Sequence, residues 1–269
     1  MSTVRLLLIL LALVSLSWAE SFDKPLSRKK VDLGPSPSSS ETRAKVTCYF
    51  FATFMVKEVD MGDKGAARLA IVPVARGVIP GCTRTQGKTE KVINPKEWSG
   101  YFKGVKNDFV FFDADDGVNG GVGFAIYDAK TGNKVFEDSA SGPLEFTTSQ
   151  DRQLSVRYSR VLDGECAVPK EKAACWERIQ QKMGTGSGSL SISMPDCEKG
   201  YEESAQNIAK SRCEAQNTDN ADCAAREIKL AREQWSDASS MVSYPVEVVL
   251  DAQRVIKPMA GTMKCWPAD

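Results

Sequence analysis

Residues 108–161 read DFVFFDADDGVNGGVGFAIYDAKTGNKVFEDSASGPLEFTTSQDRQLSVRYSRV. Aromatic and β-branched side chains fill short runs at 108–113, 122–128, 134–137, 144–147 and 153–161, which predicts five strands. Turn chemistry separates them. Residues 128–133 (DAKTGN) place Asp at the start of a hairpin turn and Gly where φ must be positive. In 153–160, Leu154, Val156 and Tyr158 alternate with Ser155, Arg157 and Ser159, giving one face for a core and one for water. The whole stretch predicts an antiparallel meander. Fifteen of the 22 aromatic residues lie between Lys45 and Leu162, so the main core belongs here.

Upstream, residues 46–59 (VTCYFFATFMVKEV) are apolar on both faces in their first half and predict one central strand. Residues 68–74 predict a second strand, which lies at an edge or ends at Pro73. Residues 78–99 read as a long loop with room for one short strand. Residues 20–44 are Pro, Ser and charge with little to bury, and predict a disordered leader. Residues 1–19, MSTVRLLLILLALVSLSWA, carry the Arg5 charge, a continuous apolar run and the small residues Ser17 and Ala19 that a signal peptidase reads. The apolar run is shorter than the roughly 20 residues a membrane crossing takes. A cleaved export signal is therefore expected, and no transmembrane segment after it.

Downstream, residues 169–183 switch to helical period, with Ala173, Trp176, Ile179 and Met183 on one face. The tract 184–189 (GTGSGS) reads as a linker, and 190–194 as a short strand. Residues 196–238 predict two helices. Tyr201, Ala205 and Ile208 make the apolar side of the first; Ala224, Ile228, Ala231 and Trp235 make that of the second. Residues 243–250 predict a strand, so the helical hairpin is an arm inserted among sheet strands. The expected class is α+β: an antiparallel, sandwich-like sheet with a disulfide-stapled helical hairpin near the C-terminus. Residues 45–183 form a β-rich domain closed by a helix. Residues 190–269 form the hairpin and its flanking strands, either separate or part of the same domain.

Export gives the eight cysteines their meaning. An even number in an oxidising compartment implies disulfides, and there is no CxxC to bind zinc or run redox chemistry. Cys213 and Cys223 face each other across the helical turn, and Cys166 and Cys175 are close in sequence. Cys48 with Cys82 and Cys197 with Cys265 then remain. Closing the 213–223 loop contributes roughly 3 kcal/mol in the chain-entropy picture.

The chain has no His, which closes off Ser-His-Asp, Cys-His and HExxH chemistry. Lys plus Arg number 35 and Asp plus Glu number 35, without the basic stripe of a nucleic-acid binder, so no nucleic-acid partner is expected. Residues 27–30 (SRKK) fit a Ser/Lys nucleophile pattern, but in a leader with nothing to desolvate the lysine. Residues 81–89 (GCTRTQGKT) resemble a phosphate loop with the wrong glycine spacing. The acidic run contains Asp113, Asp115, Asp116 and Asn119, four oxygen-bearing side chains in seven residues, and is the candidate Ca²⁺ site; a plain turn uses the same residues. No other cofactor is expected. Trp98, Tyr101 and Phe102 are candidate anchors for a sugar ring or peptide if exposed, and core if buried.

The resulting expectation is an exported, non-catalytic binding or interaction protein, periplasmic, on a cell surface or secreted. Its partner is a protein or glycan of the extracytoplasmic space. The alternatives are a polysaccharide hydrolase working through carboxylates such as Asp113, Asp115, Asp116 and Glu137, or an inhibitor of a secreted enzyme.

Overall fold

A computed structural model describes residues 21–74, 77–184, 193–217 and 221–268. The predicted export signal therefore lies outside the described residues, as do the 185–189 tract and most of the strand expected at 190–194.

The meander is present. Strands β1 (Ser27–Pro35), β2 (Arg43–Phe50), β3 (Phe54–Asp60), β4 (Arg68–Pro73) and β5 (Lys91–Val92) form a first antiparallel sheet in sequence order. The second sheet begins with β6 (Tyr101–Lys106), β7 (Phe109–Val118), β8 (Gly121–Asp128) and β9 (Lys134–Ala140). It continues through β10 (Glu145–Thr148) and β11 (Leu154–Asp163) to β12 (Ser240–Val249), β13 (Ile256–Pro258) and β14 (Lys264–Pro267). Asn119 and Gly120 make the two-residue β7–β8 turn with φ of 52° and 77°, the pair of positive values that an Asn-Gly hairpin supplies at little steric cost. The 128–133 turn closes as predicted: the Thr131 N–H donates to Asp128 Oδ1 at 2.6 Å and Gly132 adopts φ 76°.

Two stretches differ from the sequence reading. The leader at 20–44 is not without structure, because β1 pairs with β2 from Ser27↔Phe50 to Pro35↔Arg43. Val31 and Leu33, two apart on one face, pack against Val46, Cys48 and Met55, and that burial offsets a charged sequence. The single strand expected at 46–59 is a hairpin, β2 to β3. Its turn, Phe51-Ala52-Thr53, holds none of the residues that usually mark a reversal.

The sheets share a core. Val56, Leu69 and Ile71 of the first meet Val110, Phe112 and Tyr127 of the second. On its other side the second sheet closes over Phe111, Phe124, Phe146 and Tyr158, with edge-to-face contacts Phe111–Phe146 at 5.2 Å and Phe124–Tyr158 at 5.1 Å. β9 and β11 share a single bridge, Ala140↔Arg160. Side chains reinforce that junction. Asp138 accepts from the Tyr158 hydroxyl at 2.5 Å and from Arg160 Nε at 3.1 Å, and Arg160 also donates to the Tyr244 hydroxyl at 3.2 Å. Burial, then the Asp138 charge, pushes the Tyr158 hydroxyl far above its usual range, so it stays a donor.

Among the described residues, all the helices lie in the excursion between β11 and β12, whose strands pair from Ser155↔Val249 to Asp163↔Met241. The expected helix at 169–183 is two pieces, α1 (Val168–Glu171) and α2 (Ala173–Lys182), broken at Lys172 with φ 47°. The Cys166–Cys175 disulfide spans this break and draws the chain back on itself. Trp176, Ile179 and Met183 enter the core as predicted, while Ala173 is exposed and Cys175 takes its place.

Helices α3 (Cys197–Ala215) and α4 (Ala221–Gln234) form the stapled hairpin, with Asp196 Oδ1 capping the Lys199 N–H at 3.0 Å. Ala205, Ala231 and Trp235 fill a small core of their own, flanked by Tyr201, Ile208 and Ile228. Lys229 reaches Glu233 at 3.9 Å, whereas Arg226 turns to the buried Glu227. All four expected disulfides form: Cys48–Cys82, Cys166–Cys175, Cys197–Cys265 and Cys213–Cys223. No helix of the described residues is long and apolar enough to cross a membrane.

Candidate functional site

The structure disperses the residues that the sequence brought forward. Asp113 and Asp116 lie along β7, a bulged strand, instead of wrapping a loop. Each goes to its own lysine: Asp113 to Lys103 at 2.7 Å and Asp116 to Lys64 at 2.8 Å. Asp115 is on the same strand and Asn119 is in the turn beyond it, where its carbonyl accepts from the Trp266 indole N–H at 3.1 Å. Among the described residues no group of three or more Cys, Asp or Glu side chains is placed to hold a metal ion. Glu137 ion-pairs with Lys134 at 2.6 Å, away from this acidic run.

The aromatic triplet is structural. Trp98 is buried, and Phe102 packs on Tyr49 at 4.4 Å and on Phe112 at 6.3 Å. The Tyr101 hydroxyl donates to the Asp63 carbonyl at 3.1 Å and accepts from the Gly65 N–H at 3.0 Å, which locks the β3–β4 turn. Trp98 and Phe102 pack into the core between the sheets, and the half-buried Tyr101 is held by its hydroxyl against the turn.

Residues 81–90 fold over the outer face of the first sheet, with Cys82 bound to Cys48. Lys57 of β3, fully buried, donates to the Thr83 carbonyl at 3.2 Å, the Thr85 carbonyl at 3.0 Å and the Glu90 carboxylate. Arg68 donates to the Arg84 carbonyl. A phosphate loop presents N–H groups to its anion. This loop presents carbonyls and a carboxylate, and the cation that fills it is the protein's own. Ser27 and Lys30 are exposed on β1, where nothing desolvates the lysine.

The carboxyl that burial does perturb is Glu58, on the β3 face that meets the second sheet. Desolvation raises it above the usual carboxylate range, partly offset by the Phe102 N–H, which donates to Glu58 Oε2 at 2.9 Å. A group whose pKa is higher folded than unfolded holds its proton more tightly in the native state. Stability therefore falls as pH rises from the unfolded value through the folded one. Glu58→Gln keeps the acceptor and removes the buried charge. It is expected to leave the melting temperature unchanged near pH 4 and to raise it by about 2–4 °C at pH 7. Calorimetry across that range checks it; a fall at pH 7 would contradict the assignment.

A cleft that the sequence did not announce lies where turns meet. Alternate hairpin turns of an antiparallel sheet share one end. Here the β2–β3 turn (51–53), the β6–β7 turn (107–108), the β8–β9 turn (129–133) and the β10–β11 turn (149–153) border one cleft of about 730 Å³. Its floor is apolar: Phe51 stacks on Phe54 with ring centroids 5.2 Å apart, and Phe109 and Val105 continue it. Phe51 and Phe109 are only half-buried.

Carboxylates and cations make the rim, and each carboxylate is positioned. Asp23 accepts from the Asn107 N–H at 2.7 Å and from Lys106 at 3.3 Å. Asp108 pairs with Lys130 at 2.6 Å, and Asp128 holds its own turn through Thr131. Asn107 and Arg152 adopt φ of 55° and 62°, which brings two turns tightly around the opening. The Ala129 N–H donates to the Asp108 carbonyl at 2.8 Å and ties two of the turns together.

No protein-family model, curated protein or solved structure matches the chain. The geometry alone therefore carries the functional reading. The cleft is larger than the 470 Å³ groove between α3 and β14 and falls in the range that buries a small ligand. Its three carboxylates are held by protein donors before any ligand arrives, which lowers the ordering cost of binding. Sequence reasoning missed it because its residues come from five separate segments. The one local signal was the two Phe residues flanking an unpunctuated turn at 51–54.

Proposed function

We propose that this is an exported, non-catalytic binding protein whose ligand enters the cleft at the turn end of the two sheets. The observation that carries the reading is the cleft itself: four turns and an apolar floor around about 730 Å³, with rim carboxylates already held in place. Four disulfides suit an oxidising compartment, and the predicted signal at residues 1–19 supplies the route. The scaffold fits the role, since turns carry recognition while a paired sheet holds them still.

The test uses the mature chain, from Glu20, labelled and applied to glycan and peptide arrays beside a Thr53→Trp variant. Thr53 is exposed in the β2–β3 turn, and an indole there obstructs the opening without touching the core. Specific signal that falls at least about tenfold in Thr53→Trp is the expected result. Equal signal from both proteins, or no specific signal from either, overturns the reading.

A further inference from the structure

We infer that the cleft takes a neutral oligosaccharide; this rests on the reading of the cleft as the binding site. Charge is the first argument. The cleft is lined by three carboxylates, Asp23, Asp108 and Asp128, and two cations, Lys130 and Arg152, and the buried Lys106 pairs with Asp23 from behind the lining, so little net field is left to draw in a phosphate, an acidic glycan or a basic peptide. The whole chain is balanced in the same way, 35 against 35.

The second argument is the kind of hydrogen bonding offered. The carboxylates are pinned by the donors on the Asn107 and Thr131 backbones and on Lys106 and Lys130. A carboxylate oxygen has two lone pairs, so each pinned Asp retains acceptor capacity in a fixed direction. Donors stand beside these acceptors, on Lys130 and Arg152. A ligand that meets both must itself donate and accept at neighbouring positions, which is what vicinal hydroxyls do.

The third argument is the floor. Half-buried Phe51 and Phe109 offer ring surface next to that rim. A pyranose has an apolar face of C–H groups and an edge of hydroxyls, and the cleft lining combines aromatic side chains with carboxylates and cations that suit both. A hydrophobic peptide side chain would use the floor but cover the rim carboxylates without meeting the acceptor capacity that their protein donors leave open, which is costly.

Isothermal titration separates the sources. Mature protein is titrated with neutral homo-oligosaccharides of two to four glucose, mannose or N-acetylglucosamine units. Oligogalacturonate and a lysine-rich peptide serve as charged probes, and each titration is repeated with Phe51→Ala and Thr53→Trp. Thermal melting of each variant confirms that it is folded. Binding of a neutral series, weakened about tenfold by Phe51→Ala and abolished by Thr53→Trp, is the expected result. Binding of a charged probe alone, lost in Thr53→Trp, overturns the neutral-glycan inference and leaves the cleft as the site. Neutral glycans that bind equally well to Thr53→Trp overturn both. Failure of every neutral series to bind overturns the inference.

Discussion

Lys57→Met is expected to cost about 3–5 kcal/mol of stability, the range for breaking a buried ion pair by removing one partner. Lys57 is fully buried, and the Glu90 side chain that faces it is 5% exposed. Methionine fills the volume of the lysine stem, so packing is kept and charge is what changes. The loss has two parts. Glu90 is left as an uncompensated carboxylate, and the Thr83 and Thr85 carbonyls lose their donor. The double variant Lys57→Met/Glu90→Leu removes both charges. It is expected to be more stable than Lys57→Met alone, because a buried pair exchanged for apolar groups is often close to neutral. Recovery stays incomplete, since the two carbonyls still lack a donor. Urea unfolding of wild type, both singles and the double gives the coupling. A single variant costing under about 1 kcal/mol, or a double worse than the single, would refute the account.

A local readout accompanies the global one. Loop 83–90 is joined to the sheet by Cys48–Cys82 on one side and by Lys57 and Arg68 across its length. With Lys57 gone, the disulfide still tethers the loop, so opening is local before it is global. Trypsin should then cut at Arg84 and Lys88 at denaturant concentrations where wild type is intact.

Much of this fold was legible in the sequence because its signals were local. Alternation in 153–160, Asn-Gly at 119–120 and DAKTGN at 128–133 each fix a strand or turn within a few residues. The disulfides followed from helical geometry at Cys213 and Cys223, chain proximity at Cys166 and Cys175, and elimination. The misreadings come where tertiary partners outweigh composition. β1 is a charged strand whose only apolar pair, Val31 and Leu33, counts once β2 is beside it. The 51–53 turn reverses through β-forming residues, so nothing punctuated it.

The functional residues follow the same rule. Trp98, Tyr101 and Phe102 drew notice as a dense aromatic run, yet Trp98 and Phe102 belong to the core between the sheets and Tyr101 holds a turn. The acidic run from Asp113 to Asp116 drew notice as ligands, yet Lys103 and Lys64, distant in sequence from Asp116 or across a strand from Asp113, take two of its charges. Lys57 gave no signal, because the loop that surrounds it begins 26 residues later. Phe51, Asp23, Asp108 and Lys130 are unremarkable one by one, and only the topology gathers them.

Gly200→Ala poses the sharpest conflict between local preference and tertiary contact. Gly200 lies in the second turn of α3, where alanine is favoured over glycine by about 1 kcal/mol. On propensity alone the variant should be more stable. A Cβ at this position, however, would stand 1.7 Å from the Cys265 carbonyl oxygen and 2.9 Å from its carbonyl carbon, both backbone atoms of β14. Carbon and oxygen settle at about 3.3–3.6 Å, so helix and strand must separate by more than 1 Å. They are not free to do so. Cys197, three residues before, is bonded to Cys265 itself, and Tyr201, the next residue, donates to the Ala238 carbonyl at 2.9 Å and pairs with Ser240 Oγ at 2.9 Å. The strain therefore falls on the attachment of the arm.

A net loss of about 3 kcal/mol is expected, the upper part of the range for overpacking, with the propensity gain outweighed. Lys210→Ala, exposed on the same helix, serves as the control and should be near neutral. Hydrogen exchange places the damage: amides of α3 and β14 should lose protection in Gly200→Ala while those of β7 and β8 keep theirs. A variant as stable as wild type, with α3 fully protected, would show that the arm does not depend on this close approach. The opposite result identifies Gly200 as the residue that lets a helical hairpin with only a small core of its own lie directly against the edge of the second sheet.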